Sequence, residues 1–227
     1  DNYEIVVVEN NSVSEEIFAC YKKMQENPAI RVVTYEGEFN YSKINNLGVS
    51  EAAGEYVLLL NNDTSVITPD WIEELLMYAQ RKDVGAVGAK LYYEDRTIQH
   101  AGVVLGLGAH RTAGHSHYRV DHRNLGYMGR LCYAQNVMAV TGACLMMRKS
   151  LYQELGGLDE MLAVALNDVD LCVRAWKAGR VNVFTPFAEL YHYESASRGA
   201  DLSGANAERY EKESALFRER WKGLLAQ

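Results

Sequence analysis

The sequence predicts an α/β fold built on a mostly parallel sheet with helices on both faces. In the first half of the chain, short apolar runs rich in β-branched residues alternate with helical patterns. Each run is apolar along nearly its whole length, which is typical of strands covered on both sides. The 227 residues, 48% of them hydrophobic, are enough for one large domain with a sizeable core.

Local signals mark the elements of the first half. Ser12 with Glu15 forms a capping box, which predicts that the first helix opens there. A second helix is expected at residues 44–53. Thr68 followed by Pro69 predicts the cap and the first residue of a third helix. Apolar runs predict strands at residues 3–8, 30–34, 56–60 and 84–91.

The second half of the chain is less regular. Residues 105–135 are rich in Gly, His, Arg and Tyr without clear periodicity, which indicates a functional or disordered loop. A helix is expected at residues 167–178 and a strand at 181–185, just before Pro186. A charged, amphipathic helix at residues 206–225 is expected to pack on the outside. No internal repeat is visible, so we interpret the chain as one compact domain.

Composition excludes some classes of function. The formal net charge of −7 argues against a nucleic-acid partner, which requires a basic surface. No apolar run reaches the ~18–20 residues of a membrane span. The cysteines form no C-x-x-C pair, so we expect buried free thiols in a reducing cytosol. They are Cys20, Cys132, Cys144 and Cys172.

A polar cluster directly follows the third predicted strand. Asn61, Asn62 and Asp63 come after its last apolar residue, and ligands of α/β sheets bind beyond the carboxyl ends of strands. A carboxylate at that edge is suited to Mg²⁺ or Mn²⁺, hard cations that prefer oxygen ligands and keep positions open for substrate phosphates. The alternative is that the three residues only form a polar turn.

Two aspartates open the helix predicted at residues 167–178. Asp170 and Arg174 stand four residues apart and are expected to pair on the outer face of the helix. Asp168 lies on another face and lacks such a partner. A carboxylate at a helix start is ordinarily a cap. The alternative is a general base that removes a proton from an acceptor hydroxyl.

Histidines supply further candidates. A lone histidine is more often structural than a ligand, but His192 precedes a hydroxyl-rich segment with Ser197 and Arg198, which is suited to hold phosphate oxygens. No convincing fourth ligand accompanies the histidines of the long loop, so we expect them to contact substrate or solvent rather than zinc. They are His110, His115 and His117.

Taken in order, these motifs resemble the family-two inverting glycosyltransferases, which have the GT-A fold, and especially bacterial rhamnosyltransferase-like members. Each motif is modest in specificity, but their order and spacing over residues 3–199 are specific. The matching segments are residues 4–12 (EIVVVENNS), 45–48 (NNLG), 54–63 (GEYVLLLNND), 141–143 (TGA), 156–160 (GGLDE), 167–174 (NDVDLCVR) and His192.

The resemblance implies transfer of a sugar from a nucleotide-diphosphate sugar to a glycan or lipid-linked acceptor, with inversion at the anomeric carbon. Asp168 falls on the catalytic base of the family. Asn61-x-Asp63 falls on its D-x-D metal motif, and His192 on a metal-binding histidine of some members. In the expected mechanism, Asp168 deprotonates the acceptor hydroxyl while Mn²⁺ or Mg²⁺ stabilises the departing diphosphate.

The remaining matched positions are expected to contact the substrates. Those assigned to the nucleotide sugar are Glu9, Asn10, Ser12, Asn45, Asn62, Ser197 and Arg198. Those assigned to the acceptor or the sugar are Thr141, Gly142 and Asn167. The resemblance also divides the single domain into a nucleotide-sugar-binding half (residues 1–92), an acceptor-binding half (93–200) and a C-terminal helix (201–227).

Two departures from the family pattern bear on activity. The D-x-D motif begins here with Asn61, a neutral and weaker cation ligand, so we expect low cation affinity or a contribution from His192. The family also normally has a strand with a nucleotide-contacting loop ahead of the strand that begins here at Tyr3. Without that unit we expect an unfilled position in the sheet and weak donor binding.

Two alternatives stay open from the sequence. A nucleotidyltransferase also combines a Rossmann-like sheet with carboxylate-bound Mg²⁺, but the Gly-rich, basic phosphate loop of that class is not visible. A non-catalytic sugar-nucleotide-binding or assembly module would be consistent with Asn61 and the missing strand. For either enzyme or module we expect a cytoplasmic location, with peripheral association at the inner face of the membrane where the acceptor is lipid-linked.

Overall fold

The computed structural model describes residues 2–108, 110–193 and 204–226. Within these ranges the chain forms eleven strands, six α-helices and a short 3₁₀ turn at Tyr127–Gly129. The strands are β1 (Ile5–Glu9), β2 (Ile30–Thr34), β3 (Tyr56–Leu60), β4 (Thr64–Val66), β5 (Val84–Tyr92), β6 (Ile98–His100), β7 (Val103–Leu105), β8 (Ala113–His115), β9 (Gln135–Val137), β10 (Cys144–Arg148) and β11 (Val181–His192). The helices are α1 (Glu15–Met24), α2 (Tyr41–Glu51), α3 (Trp71–Ala79), α4 (Lys149–Glu154), α5 (Asn167–Lys177) and α6 (Gly204–Leu225).

A seven-stranded sheet forms the centre of the fold. Its main order is β3-β10-β5-β11-β4, with β6 added to β5 and β9 added to β11. Strand β11 runs parallel to β5, whereas β10 is antiparallel to both of its neighbours and β11 is antiparallel to β4 and β9. The predicted α/β class is therefore confirmed, but the sheet is mixed rather than mostly parallel. An all-apolar strand reveals burial on both faces and not the direction of its neighbours.

Two smaller sheets flank the central one. Strands β1 and β2 pair in parallel, and β7 and β8 form an antiparallel hairpin. Neither β1 nor β2 pairs with a strand of the central sheet among the described residues. Both ends of the long loop predicted at residues 105–135 are thereby structured, since β7 and β8 take its first part and β9 begins at its last residue.

Helices cover both faces of the central sheet, as predicted. Successive side chains of β10 alternate between the two faces. Cys144 and Met146 pack in a cluster with Leu75 of α3, while Leu145 and Met147 pack in the opposite cluster, which includes residues of α4, α5 and α6. Because each fully buried side chain of this size contributes about 1.5–3 kcal/mol, these two clusters fix the sheet between its helices.

Strand β11 is longer than the sequence indicates. The predicted strand stops before Pro186, but the observed one continues to His192. Proline lacks an amide proton and is tolerated in strands at bulges. The register between β11 and β5 shifts between Phe184 and Glu189, which accommodates Pro186. The continuation matters for function because it carries His192 to the edge of the sheet.

Two predicted helix caps are not used, and α2 begins at Tyr41, three residues before its predicted start. Helix α1 is capped by Ser14, whose hydroxyl accepts the Glu16 amide proton, while Ser12 is held by Glu9. Helix α3 is preceded by Asp70 rather than Thr68, because the Thr68 hydroxyl accepts the amide proton of Glu189 in β11. A local contact with Glu9 holds Ser12 and a tertiary contact with β11 holds Thr68, so neither residue caps its helix.

The cysteines are only partly as expected. All four are free thiols, but Cys20 and Cys132 are exposed, whereas Cys144 and Cys172 are buried. The prediction that all of them are buried is wrong for the first two, which lie on the surface of α1 and in the long loop. Among the residues that the structure covers, no helix is long and apolar enough to cross a membrane.

Candidate active site

The ends of β3 and β11 meet at one edge of the central sheet. Strand β4 follows the Asn61–Asp63 segment and pairs with β11, so that Thr64 lies opposite His192. The Tyr193 amide donates to the Asp63 carbonyl at 2.9 Å. As a result Asp63 Oδ1 lies 3.1 Å from His192 Nε2, and Asn61 Nδ2 lies 3.2 Å from the same nitrogen. The structure thus brings the three residues of the predicted metal site together.

Gln99 fixes the orientation of the His192 ring. Its Nε2 donates to the His192 carbonyl at 3.3 Å, so its Oε1, 2.6 Å from His192 Nδ1, is the acceptor of that pair. Nδ1 therefore carries a proton, and the Asn61 amide nitrogen, a donor 3.2 Å from Nε2, assigns the lone pair to Nε2, which also faces Asp63. A neutral imidazole held in this way by a neighbour is the form that binds metals.

A divalent cation fits between these side chains. Asp63 Oδ1 is buried and accepts no hydrogen bond within the described part of the chain, because the proton of the nearby His192 ring is on Nδ1. Adjacent ligands at about 2.1 Å from an octahedral ion lie about 3 Å apart, close to the separation found here. Rotation of the Asn61 amide would present its oxygen to the same point.

The cation would have few protein ligands. Among the described residues, no group of three or more His, Cys, Asp or Glu side chains has an arrangement that could hold a metal ion. Asp63 and His192, with Asn61, therefore leave several positions of an octahedral ion to other oxygens. Such an incomplete set is typical of Mg²⁺ sites that also bind substrate phosphates.

Asp168 lies in the first turn of α5 with its carboxylate held by backbone amides. Its Oδ2 accepts the amide proton of Gly142 and its Oδ1 that of Val169, each at 2.7 Å. The residue is half-buried, and no salt bridge to it forms among the described residues. Leu166, just before the helix, has the left-handed φ of 63°, a strained conformation that a functional site can retain.

One turn connects Asp168 with the metal candidates. The Ala143 carbonyl accepts the Asn61 amide proton at 3.0 Å, while the amide of the preceding Gly142 donates to Asp168. Tyr41 donates its hydroxyl proton to the Gly142 carbonyl at 2.8 Å, and a Cβ at this glycine would lie 2.9 Å from that hydroxyl oxygen. A side chain at position 142 would force Tyr41 or the turn to shift, and the turn joins the two halves of the candidate site.

Asn167 holds the start of α5. Its buried amide, 2% exposed, donates to the carbonyls of Leu162 and Val164 and accepts the Asp168 amide proton. The enclosed side chain of Asn167 thereby fixes the backbone of Asp168. The expected contact of Asn167 with the acceptor or the sugar stays a prediction.

The predicted pair of Asp170 and Arg174 forms, with 2.8 Å between Oδ2 and Nε. Its predicted position on the outer face is wrong, because Asp170 is fully buried. Its Oδ1 accepts protons from Arg220 at 2.9 Å and from Trp221 at 3.0 Å, which ties α5 to α6. Asp170 is therefore structural, in contrast to Asp168 two residues earlier.

The loop after β1 is held mainly by its own polar side chains. Glu9 accepts the Ser12 amide proton at 2.6 Å, and Asn10 donates to the carbonyls of Tyr35 and Gly37, each at 3.0 Å. No hydrogen bond or ion pair among the described residues joins this loop to Asp63. The nucleotide contacts expected of Glu9, Asn10 and Ser12 therefore stay predictions.

The other predicted donor contacts are scattered. Asn45 is half-buried in α2 and donates to the Tyr41 carbonyl at 2.8 Å, and Asn62 is exposed beside the metal candidates. Ser197 and Arg198 lie outside the described residues. Of this group, only Asn62 adjoins the site that the structure assembles.

Sequence reasoning missed two residues of β6. Gln99 orients His192, and Nε2 of the adjacent His100 lies 3.4 Å from the Thr141 amide nitrogen. His115, expected to contact substrate or solvent, is exposed and also lies beside His100, with 2.9 Å between their Nδ1 atoms. The available signal was the pair of polar residues inside a short apolar run, which becomes informative only once the run is known to be a strand.

Three curated relatives share extended similarity with the chain. An uncharacterized protein, y4gI, of Sinorhizobium fredii is 45% identical over 223 residues, covering 97% of this chain and 24% of its own length. The O-antigen biosynthesis protein RfbC of Myxococcus xanthus is 40% identical, covering 88% of this chain and 16% of its own length. The N-acetylglucosaminyl-diphospho-decaprenol L-rhamnosyltransferase of Mycobacterium tuberculosis is 33% identical over 84 residues, covering 37% of this chain and 27% of its own length. The chain thus spans about a quarter or less of the first two relatives it matches.

The fold and the family are shown by two further comparisons. A crystal structure of GalNAc-T7 with UDP, GalNAc and Mn²⁺ superposes with a TM-score of 0.73 at 15% identity, covering 98% of this chain and 43% of the other, which supports the predicted GT-A fold. Residues 2–212 match the family described as glycosyltransferase like family 2. The resemblance inferred from the motifs is therefore confirmed, and the chain belongs to glycosyltransferase family 2.

Proposed function

We propose that this chain is the catalytic domain of an inverting glycosyltransferase that moves a sugar from a nucleotide-diphosphate sugar to a hydroxyl of a glycan or lipid-linked acceptor. One observation carries the proposal. The Asp63–His192 pair and the Asp168 carboxylate are joined through a single turn, residues 141–143, at one edge of the sheet. A cation site and a positioned carboxylate side by side are the two groups that such a transfer requires.

Asp63, His192 and Asn61 are the residues that would hold Mn²⁺ or Mg²⁺. Within the described ranges no donor reaches the buried Asp63 Oδ1, which faces Nε2 of a ring with its proton on Nδ1, and this supports the assignment. When bound, the cation supplies positive charge that stabilises a departing diphosphate. GalNAc-T7, which shares the fold, was crystallised with Mn²⁺ and a nucleotide.

Asp168 is the proposed general base. Two backbone amides hold its carboxylate, and no arginine or lysine of the described residues pairs with it. In the proposed reaction an oxygen of Asp168 takes the proton of the acceptor hydroxyl. The hydroxyl oxygen bonds to the anomeric carbon from the side opposite the diphosphate, as the bond between that carbon and the diphosphate oxygen breaks. Attack from the opposite side inverts the configuration of that carbon.

The test begins with a screen of nucleotide sugars for transfer or hydrolysis, with and without Mn²⁺. With an active donor, Asp168→Asn should lower kcat by about 10²–10⁴-fold, the usual contribution of a positioned base, and leave donor affinity unchanged. Asp63→Asn should instead weaken Mn²⁺ binding. Asp83→Asn, an exposed aspartate after α3 that pairs with Arg81, is the matched control.

Each alternative gives a different result in this screen. Full transfer by Asp168→Asn would contradict the base assignment. Tight donor binding with no transfer from any donor would favour a non-catalytic module. Release of pyrophosphate with formation of a nucleotide sugar would favour a nucleotidyltransferase.

We also propose that the domain associates peripherally with an anionic membrane surface, where a lipid-linked acceptor is found. The support comes from the loop at residues 117–133, whose tip exposes Leu125 (63%), Tyr127 (77%) and Met128 (80%). Its three arginines and one aspartate give it a net charge of +2, on a chain with a net charge of −7. Exposed apolar side chains on a loop of net positive charge are suited to the interface of an anionic bilayer.

A further inference from the structure

We propose that β6 (Ile98–His100) is a positioning element that serves both halves of the site, with Gln99 setting the His192 ring and His100 setting the turn that holds Asp168. The inference rests on the proposed function and assigns roles to two residues in that same site. Neither residue would touch the substrate. Each would act through a neighbour that does.

A bulge in β6 makes this possible. Leu91 of β5 pairs with His100, but the next residue, Tyr92, pairs with Ile98, so Gln99 is the extra residue in the ladder. A bulge changes the direction of one side chain relative to its neighbours, and bulges are frequent next to active sites. Here the bulge lets Gln99 contact His192 and the next residue, His100, contact the turn at residues 141–143. In a regular strand the two side chains would point to opposite faces of the sheet.

Both polar atoms of the Gln99 side-chain amide form hydrogen bonds with His192. Its Nε2 donates to the His192 carbonyl and its Oε1 accepts the Nδ1 proton of the same ring. The side chain is 4% exposed, so water does not compete for either bond. This double contact sets the tautomer as well as the ring orientation, and the lone pair of His192 Nε2 faces Asp63 as a consequence.

His100 acts on the turn at residues 141–143. Its ring is fully buried, with Nε2 3.4 Å from the amide nitrogens of both Gly102 and Thr141, so this nitrogen is an acceptor. Nδ1 then carries the proton and donates it to Nδ1 of His115 at 2.9 Å. Burial, with His115 and His192 nearby, lowers the pKa of His100 well below its usual range, so the ring stays neutral and keeps its acceptor.

The position of the Thr141 amide affects Asp168 through the turn. Thr141 is followed by Gly142, whose amide donates to Asp168 Oδ2, and by Ala143, whose carbonyl holds Asn61. A shift of the Thr141 amide would therefore move the base and the metal segment relative to each other. Misplacement of a reacting group by about 1 Å can cost about 10²-fold in rate.

The two roles predict different defects when Gln99 and His100 are each replaced by leucine. Gln99→Leu should weaken Mn²⁺ binding by about 10–100-fold, the usual effect of losing the partner of a metal-binding histidine, and leave kcat at saturating Mn²⁺ nearly unchanged. His100→Leu should leave Mn²⁺ affinity unchanged and lower kcat by about 10²-fold without changing the KM for donor. His100→Gln, whose amide oxygen can accept from Thr141, should restore much of the loss.

Measurements without turnover separate this proposal from the proposed function. Mn²⁺ binding is titrated on the purified full chain by electron paramagnetic resonance, without donor. Long-range ¹H–¹⁵N spectra of the imidazole rings report the His192 tautomer, and amide exchange reports Thr141. We expect Gln99→Leu to lose the Nδ1–H tautomer of His192 and His100→Leu to accelerate exchange at Thr141, with melting temperatures recorded for every variant.

The outcomes are distinguishable. Unchanged His192 tautomer and Thr141 exchange in folded variants would overturn the positioning proposal, as would equal defects in both variants or no rescue by His100→Gln. If both spectroscopic changes occur but the wild-type chain binds no Mn²⁺ and transfers no sugar, the positioning geometry stands and the proposed function fails.

Discussion

Two aspartates in the first turn of α5 differ completely in their surroundings. Asp170 is buried and receives protons from Arg174, Arg220 and Trp221. Asp168 is half-buried and is held only by backbone amides among the described residues. The first carboxylate stabilises the fold by joining α5 to α6. The second is oriented but not neutralised, which is the condition for accepting a proton from a substrate.

Substitution of these two residues should separate stability from activity. Asp170→Asn removes the charge between Arg174 and Arg220, and breaking a buried ion pair costs about 3–5 kcal/mol. We expect a loss of about 3 kcal/mol, because both arginines are partly exposed. Asp168→Asn should lose less unfolding free energy than this while abolishing most transfer. Urea unfolding curves of both variants provide the measurement, and equal losses of stability would contradict the contrast.

The four thiols should differ in reactivity. Burial raises the pKa of the Cys144 thiol and of the Cys172 thiol to about 12, so almost no thiolate forms at either residue at pH 8. Cys20 and Cys132 are exposed to reagent. Ellman's reagent at pH 8 should therefore modify two thiols in the native protein and four in denaturant. Rapid reaction of all four in the native state would show that α5 or β10 opens readily.

The turn at residues 141–143 is the smallest element on which the whole site depends. It has no regular secondary structure, yet it contacts Asn61, Asp168 and Tyr41 through backbone groups. Because its role depends on main-chain positions, a substitution that moves the backbone should lower activity more than one that only changes the polarity of a side chain.

Gly142→Ala tests this dependence. The added Cβ would lie 2.9 Å from Tyr41 Oη and 3.5 Å from Asp168 Cβ, so the turn or the tyrosine must shift. We expect a loss of kcat of about 10²-fold through displacement of Asp168. Tyr41→Phe removes the clashing oxygen, so the double variant should recover activity relative to Gly142→Ala. If the double variant is no better than the single one, the clash is not the cause.

The sequence predicted elements well where local signals decide them and poorly where tertiary contacts do. The strand at residues 30–34 and the strand at 56–60 have the predicted bounds, because an apolar run is sufficient to define a buried strand. The length of β11 could not be predicted, since only the bulge opposite β5 reconciles Pro186 with a strand. Likewise, the hydroxyls of Ser12 and Thr68 contact Tyr21 and the Glu189 amide instead of capping a helix.

The same distinction holds for the candidate site. Four site residues were predicted because each lies at the end of a recognisable strand or at the start of a recognisable helix. They are Asn61, Asp63, Asp168 and His192. Gln99 and His100 were not, because their function depends on the bulge in β6 and on partners 93 and 41 residues away in the chain. The division of the domain at residues 92 and 200 stays a prediction.

At the scale of the whole molecule, charge is distributed unevenly. Residues 122–153 contain four arginines or lysines and no aspartate or glutamate, although the chain as a whole is acidic. Part of this basic stretch forms the exposed loop at 117–133, whose base is anchored to β6 by hydrogen bonds between Ile98 and residues 119 and 120. The loop is therefore attached next to Gln99 and His100. A surface bound by the loop would lie close to the proposed site.

Binding to vesicles tests the proposed membrane surface. The chain should bind vesicles rich in phosphatidylglycerol and not vesicles of phosphatidylcholine alone, and high salt should weaken binding because it screens the arginines. Arg123→Gln with Arg130→Gln should weaken it by about 30-fold, at about 1 kcal/mol for each cation near the surface.

Tyr127→Ser with Met128→Ser should weaken vesicle binding at every salt concentration, because apolar burial is not screened. Met161→Ser removes an equally exposed methionine (71%) from another surface and should have no effect. Equal binding to both kinds of vesicle, or equal losses in the Met161 control, would exclude this loop as the membrane contact.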